Sequence, residues 1–169
     1  RITIAFGDYR DDLILELEKR IYNNIKAQYD STIFNIYDHI PGYDRVRLSF
    51  TQLETVLNRN KRDWISALEN QKAVYLITDL FTGKLYVGSA YGENGMLLQR
   101  WRNYISNGHG GNKELVQLVN ELGFEYVKKN FQYSILENYN SRVDTSRIIQ
   151  RESWWKSTLS TRKHGYNSN

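Results

Sequence analysis

Apolar positions recur every fourth residue in "DDLILELEKRIYNNIKAQY", where Leu13, Leu17, Ile21 and Ile25 form the stripe of an amphipathic helix that should pack against a later part of the chain. "STIFNIYDHIPGYDRVRL" mixes β-formers with the one proline, Pro41, and with Gly42, the pattern of irregular structure or a short strand ended by a turn. In "TQLETVLNRN", Thr51 stands three residues before Glu54, a capping box ahead of an apolar face. "KRDWISALENQK" predicts a further helical turn or two, capped by Asp63, with Trp64, Ile65 and Leu68 inward. The period then drops to two: Val74 and Leu76 alternate with Tyr75 and Ile77, "FTGK" turns the chain, and Leu85 and Val87 alternate with Tyr86, which makes a β-hairpin. Helical spacing returns in "NGMLLQRWRNYISNG" and in "KELVQLVNELG", the latter stopped by Gly123. "FQYSILENY" alternates as a third strand, and "DTSRIIQRESWWKSTLST" is a long last helix capped by Asp144.

These elements predict an α+β domain: a small three-stranded antiparallel sheet flanked by helices over residues 71–169, preceded by a mainly helical extension over residues 1–70. Charge shifts at the same boundary. Residues 1–70 carry 10 Lys/Arg against 11 Asp/Glu, while residues 71–169 carry 13 against 8, so most of the net +4 lies in the second part. That part is the expected surface for a polyanion, with solvated basic side chains as the plain alternative. Cysteine is absent and His39, His109 and His164 lack ligand spacing, which excludes disulfides and a thiolate zinc site. No apolar run reaches the length of a membrane span and no secretory leader is visible, so a cytoplasmic protein is expected; the chain opens at Arg1, and a further domain upstream is compatible with that.

Candidate chemistry gathers in the second part. Arg100 and Tyr104 share a helical face, and Leu97 and Trp101 an adjacent one. Glu152 lies four after Ile148 and three before Trp155, on or beside a face that should be buried, where a carboxylate needs a partner. Asn167 sits in the exposed-looking tail "GYNSN". Two tyrosines, an arginine, one carboxylate and an amide lack a nucleophile–histidine relay, but they suit phosphodiester hydrolysis assisted by Mg²⁺: the carboxylate holds the ion, arginine stabilises phosphoryl charge, and a tyrosine handles the proton. Each residue has a plain alternative: strand packing for the tyrosines, a surface pair with Arg147 or Arg151 for Glu152, and an ion pair for Arg100.

The hairpin "VYL … YVG" resembles the paired signature of the GIY-YIG nucleases, with Ala73 at the first glycine and Val74 and Val87 at the isoleucines. Arg100, Tyr104, Glu152 and Asn167 follow in the family's order. The resemblance implies a DNA endonuclease using one Mg²⁺ or Mn²⁺ ion and leaving 5′-phosphate and 3′-hydroxyl ends, in restriction, phage defence, mobile-element or repair biology. It implies Tyr75 as general base or water-positioning group, Tyr86 and Arg100 on the scissile phosphate, Tyr104 where the family often has histidine, Glu152 on the metal and Asn167 as a brace. Gly88 would let the backbone approach a helix or DNA. His109, Asn112 and Lys113 in "GHGGNKEL" are candidate phosphate contacts, as are Lys156, Lys128, Lys129, Arg162 and Lys163. The segment containing "AYGEN" is longer than in compact members and would shape DNA contact or simply lengthen a loop. Residues 1–70 are a candidate DNA-recognition, homodimerisation or packing element. The alternatives are a noncatalytic nucleic-acid-binding module on the same fold, and an interaction domain whose aromatics mark an interface.

Overall fold

The computed structural model describes the backbone of residues 6–92 and 96–168, and side chains at residues 13–28, 37–92 and 96–168. Glu93, Asn94 and Gly95 of "AYGEN" lie outside the described residues. The chain forms two compact units divided between Ile36 and Tyr37.

The first unit belongs to α1, which runs Phe6–Asp38 without interruption. The expected break at "STIFNIYD" is absent: β-formers lose only tenths of a kcal/mol each in a helix, and every residue added to an existing helix gains a hydrogen bond. Along the described part of α1 the apolar stripe is exposed: Leu13 is 60% and Ile25 61% exposed, with Leu17 and Ile21 similar.

In the second unit, β1 (Arg47–Ser49), β2 (Gln71–Asp79), β3 (Leu85–Ala90) and β4 (Phe131–Asn140) form one antiparallel sheet in the order β1-β4-β2-β3. The sheet has four strands, where alternation revealed three, because three-residue β1 is too short to show a period of two. Helices α2 (Phe50–Asn58), α3 (Arg62–Glu69), α4 (Met96–Asn107), α5 (Lys113–Leu122), α6 (Phe124–Asn130), α7 (Thr145–Thr158) and α8 (Thr161–His164) complete the unit. The α2 capping box uses Ser49 and Gln52, two residues earlier than Thr51 and Glu54. Lys61 occupies the α3 cap; Asp63 instead accepts from the Ile40 amide at 2.9 Å, and Ile65 is only half-buried. Asp144 caps α7 as expected, accepting from the Ser146 amide.

Strand alternation sorts the core into two layers. Tyr75, Ile77, Tyr86 and Tyr133 lie on one face against Phe50, Trp101 and Tyr104. Val74 and Val87 lie on the other, packed with Ile148, Trp155 and Leu159 of the last helices. A register irregularity at Val74/Tyr75 in the β2–β4 ladder re-aims the strand at the tyrosine. β3 is left as an edge, with α4 against one side and α7 against the other.

Candidate active site

At the β3 edge an open cleft of about 840 Å³ lies between α4 and α7, lined in part by Tyr86, Ser89, Arg100 and Glu152. The hairpin supplies the phenol and hydroxyl, α4 the guanidinium and α7 the carboxylate.

Arg100 is held from behind. Its Nε donates to the Tyr75 hydroxyl at 2.9 Å and its Nη1 to the Gly110 carbonyl at 3.0 Å, which fixes the planar fork while one edge remains on the cleft. Tyr75 and Tyr104 share a hydrogen bond of 3.0 Å, and the rings of Tyr75, Tyr86 and Tyr104 form a tilted cluster with centroids 5.9–6.5 Å apart. Burial, reinforced by the neighbouring phenols, raises the Tyr75 and Tyr104 hydroxyls far above the usual tyrosine range, so both keep their protons at neutral pH. Burial alone would lower the Arg100 guanidinium, but the group ionises so far above neutrality that it stays charged, with its hydrogen bonds to the Tyr75 hydroxyl and the Gly110 carbonyl offsetting the lost water.

Tyr75 is fully buried and is absent from the cleft wall. Its hydroxyl reaches the site only through Arg100, which suits a positioning group rather than a base in contact with water. Tyr86 is the tyrosine of the pair that lines the cleft. Gly88 serves Tyr75 itself: the two are paired across the β2–β3 ladder, and a Cβ at Gly88 would lie 2.4 Å from the Tyr75 hydroxyl oxygen. The close approach within the chain is to the Tyr75 ring rather than to a helix.

Glu152 is largely withdrawn from water. Its Oε2 accepts from Ser89 Oγ at 2.6 Å and its Oε1 faces Lys156 Nζ at 3.0 Å. Neither Arg147 nor Arg151 pairs with it. Arg151 forks onto Glu137, which also takes Tyr139 and the Trp155 indole; those donors, led by Arg151, hold Glu137 at about 2. Ser89 was not singled out in the sequence. The available signal was a hydroxyl three residues after Tyr86 and two after Val87, which puts it on the Val87 face turned to the last helix.

Asn167 is buried rather than exposed, and it does not line the cleft. Its amide accepts from the Val87 N–H at 2.9 Å and donates to the Val87 carbonyl at 2.8 Å, continuing the sheet's bonding at the open edge of β3. The Tyr166 amide donates to the Leu85 carbonyl at 2.9 Å beside it.

Of the remaining candidates, Asn112, Lys113, Lys156 and Arg162 line the cleft. Asn112 also caps α5 by accepting from the Leu115 amide, and Arg162 bonds Ser153 and Ser157. His109 does not line it; its Nδ1 accepts from the Gly111 amide at 3.0 Å and closes its own loop. Lys128, paired with Glu125 at 2.7 Å, Lys129 and Lys163 also lie off the cleft wall. Tyr91, Gln99 and Asn103 are polar lining residues that sequence patterning did not isolate. Among the described residues the lining carries Arg100, Lys113, Lys156 and Arg162 and one carboxylate, that of Glu152.

Among the described residues no three His, Cys, Asp or Glu side chains cluster as a metal site, and no helix is long and apolar enough to cross a membrane. No family model matches the chain. The fold is similar to solved structures of the catalytic domain of the homing endonuclease I-TevI. One match has 27% identity and a TM-score of 0.44 over 57% of this chain and 96% of the other. A point mutant of the same intron endonuclease domain matches with 26% identity and a TM-score of 0.45 over 59% and 94%.

Proposed function

We propose that the chain is a divalent-metal-dependent DNA endonuclease of GIY-YIG type that hydrolyses a phosphodiester to 5′-phosphate and 3′-hydroxyl ends. The observation that carries the reading is the convergence of Tyr86, Arg100 and Glu152 on one cleft where, among the described residues, lining cations outnumber carboxylates. Three elements far apart in sequence have no packing reason to bring a phenol, a guanidinium and a carboxylate to one open surface.

Each side chain has a stated task. Arg100, charged and pre-aligned by Tyr75 and Gly110, binds the scissile phosphate and stabilises charge as the bond to the leaving oxygen breaks. Tyr86 reaches the cleft and orients or relays a proton for the attacking water. Tyr75 and Tyr104 position Arg100, and Asn167 holds the strand that carries Tyr86. Lys113 and Arg162 contact flanking phosphates, which gives affinity without sequence information.

The donor set fits one Mg²⁺ or Mn²⁺, which needs only one or two carboxylates when water and substrate phosphate complete its shell. Glu152 would hold it, with Ser89 orienting the carboxylate. When bound, the ion polarises a phosphate oxygen and assists departure of the leaving group.

A single site cuts one strand at a time, so double-strand cutting would require two copies, two successive nicks or another domain. The test is supercoiled plasmid with and without Mg²⁺. Nicking should require the ion, and Glu152→Ala should slow it by about 10²–10³-fold. A wild type that never nicks, or a Glu152→Ala protein that nicks as fast, would defeat the reading.

A further inference from the structure

The side chain pressed onto the proposed metal ligand is itself a cation. Lys156 follows Glu152 by one helical turn, and its Nζ stands 3.0 Å from Oε1. Pairs at this spacing normally sit in water and contribute tenths of a kcal/mol. This one does not: Lys156 is 6% exposed, on the wall of the cleft. An ammonium so far withdrawn from water must keep an anion beside it. Among the described residues the Glu152 carboxylate serves it, and a nucleic-acid phosphate entering the same cleft is an anion of the same kind.

Arg100, Lys113 and Arg162 share that lining. Their field favours an incoming polyanion and opposes a bare divalent ion, so the two ligands of the reaction meet the free protein on unequal terms. Building on the endonuclease reading, we infer that Lys156 occupies the cation position on Glu152 in the free protein and transfers its ammonium to a DNA phosphate on binding, so that DNA and metal reach the site cooperatively. The exchange forms and breaks ion pairs only, and no covalent bond or proton changes hands. By linkage, whatever DNA does for the metal the metal does for DNA.

Two binding measurements independent of turnover test this. Mn²⁺ binding to DNA-free protein, read by the loss of free-ion electron paramagnetic resonance signal, should be at least about tenfold tighter in Lys156→Met than in wild type. Adding Glu152→Gln to that variant should remove the gain, which assigns it to this carboxylate. Fluorescence anisotropy with a short duplex in EDTA should show Lys156→Met binding DNA several-fold more weakly than wild type. Lys156→Gln provides the same comparison with a polar side chain should the methionine protein fail to fold. Equal Mn²⁺ affinities would overturn the exchange. Tighter Mn²⁺ binding with unchanged duplex affinity would also overturn it, since the lysine would then only screen the carboxylate. Plasmid nicking by wild type separates this failure from that of the parent reading: a nicking enzyme with equal Mn²⁺ affinities loses the exchange alone, whereas a protein that never nicks loses the endonuclease assignment whatever Lys156 does.

Discussion

Tyr75 and Gly88 face each other across the hairpin, and the phenol occupies the space that a side chain at 88 would take. Gly88→Ala therefore places a methyl 2.4 Å from the hydroxyl of a ring already pinned by Tyr104. Overpacking of this kind costs about 1–3 kcal/mol, so the urea midpoint should fall and nicking should fall with it as Arg100 loses its buttress. Tyr75→Phe is the cleaner probe because it keeps the ring and deletes only the hydroxyl that accepts from Arg100 Nε and bonds Tyr104. Misplacement of the guanidinium should slow single-turnover nicking by about 10²-fold. The pH–rate profile of the residual activity should keep its shape. Loss of one limb of that profile would instead identify Tyr75 as the base.

Asp79 organises an element rather than a reaction. Fully buried at the end of β2, it accepts from the amides of Phe81 and Thr82, from the Thr82 hydroxyl at 2.7 Å, from Tyr126 at 2.9 Å and from Tyr166 at 2.6 Å. One carboxylate thus ties the hairpin turn to α6 and to the chain's final segment. Burial would raise Asp79, yet the hydrogen bonds from Tyr166, Thr82 and Tyr126 together hold it below the usual carboxylate range; Arg151 likewise holds Glu137 down, at about 2. Both depressed groups contribute stability that is complete above the ordinary carboxylate range and is lost as pH falls through their folded values. Calorimetry between pH 5 and pH 2 should show the wild-type Tm falling steeply. Asp79→Ala should be less stable at neutral pH by about 1.5–3 kcal/mol, with a shallower acid slope.

Elements with a sustained period were legible: the hairpin, β4 and the long helices announce themselves through repeated side-chain placement, as does the Asp144 cap. β1, α6 and α8 were not, because three, seven and four residues cannot establish a period and their state is set by what they pack on. The site was legible as an ordered set of residue types. Depth was not: nothing in one-dimensional spacing distinguishes Tyr86 on the cleft from Tyr75 behind it, or shows Asn167 folded inward onto β3.

For the whole molecule, the four cations that line the cleft among the described residues set the electrostatic response. If each neutralises one phosphate, the logarithm of DNA affinity should fall with the logarithm of salt with a slope near about −3.6, and Lys113→Ala should reduce that slope by about 1. The division between Ile36 and Tyr37 predicts that residues 37–169 unfold as one cooperative transition without α1, read by circular dichroism, and still nick plasmid. A lost transition would show that the helix is required for the second unit to fold.

The tail's hold on β3 has one more consequence. The Val87 N–H points away from the β2 ladder and would exchange with solvent freely but for the Asn167 amide that caps it. Its deuterium uptake is therefore a clock for detachment of the last residues, running separately from the clock of the sheet. Asn167→Ala should speed uptake at this one amide by orders of magnitude while the inner amides of β2 keep their pace.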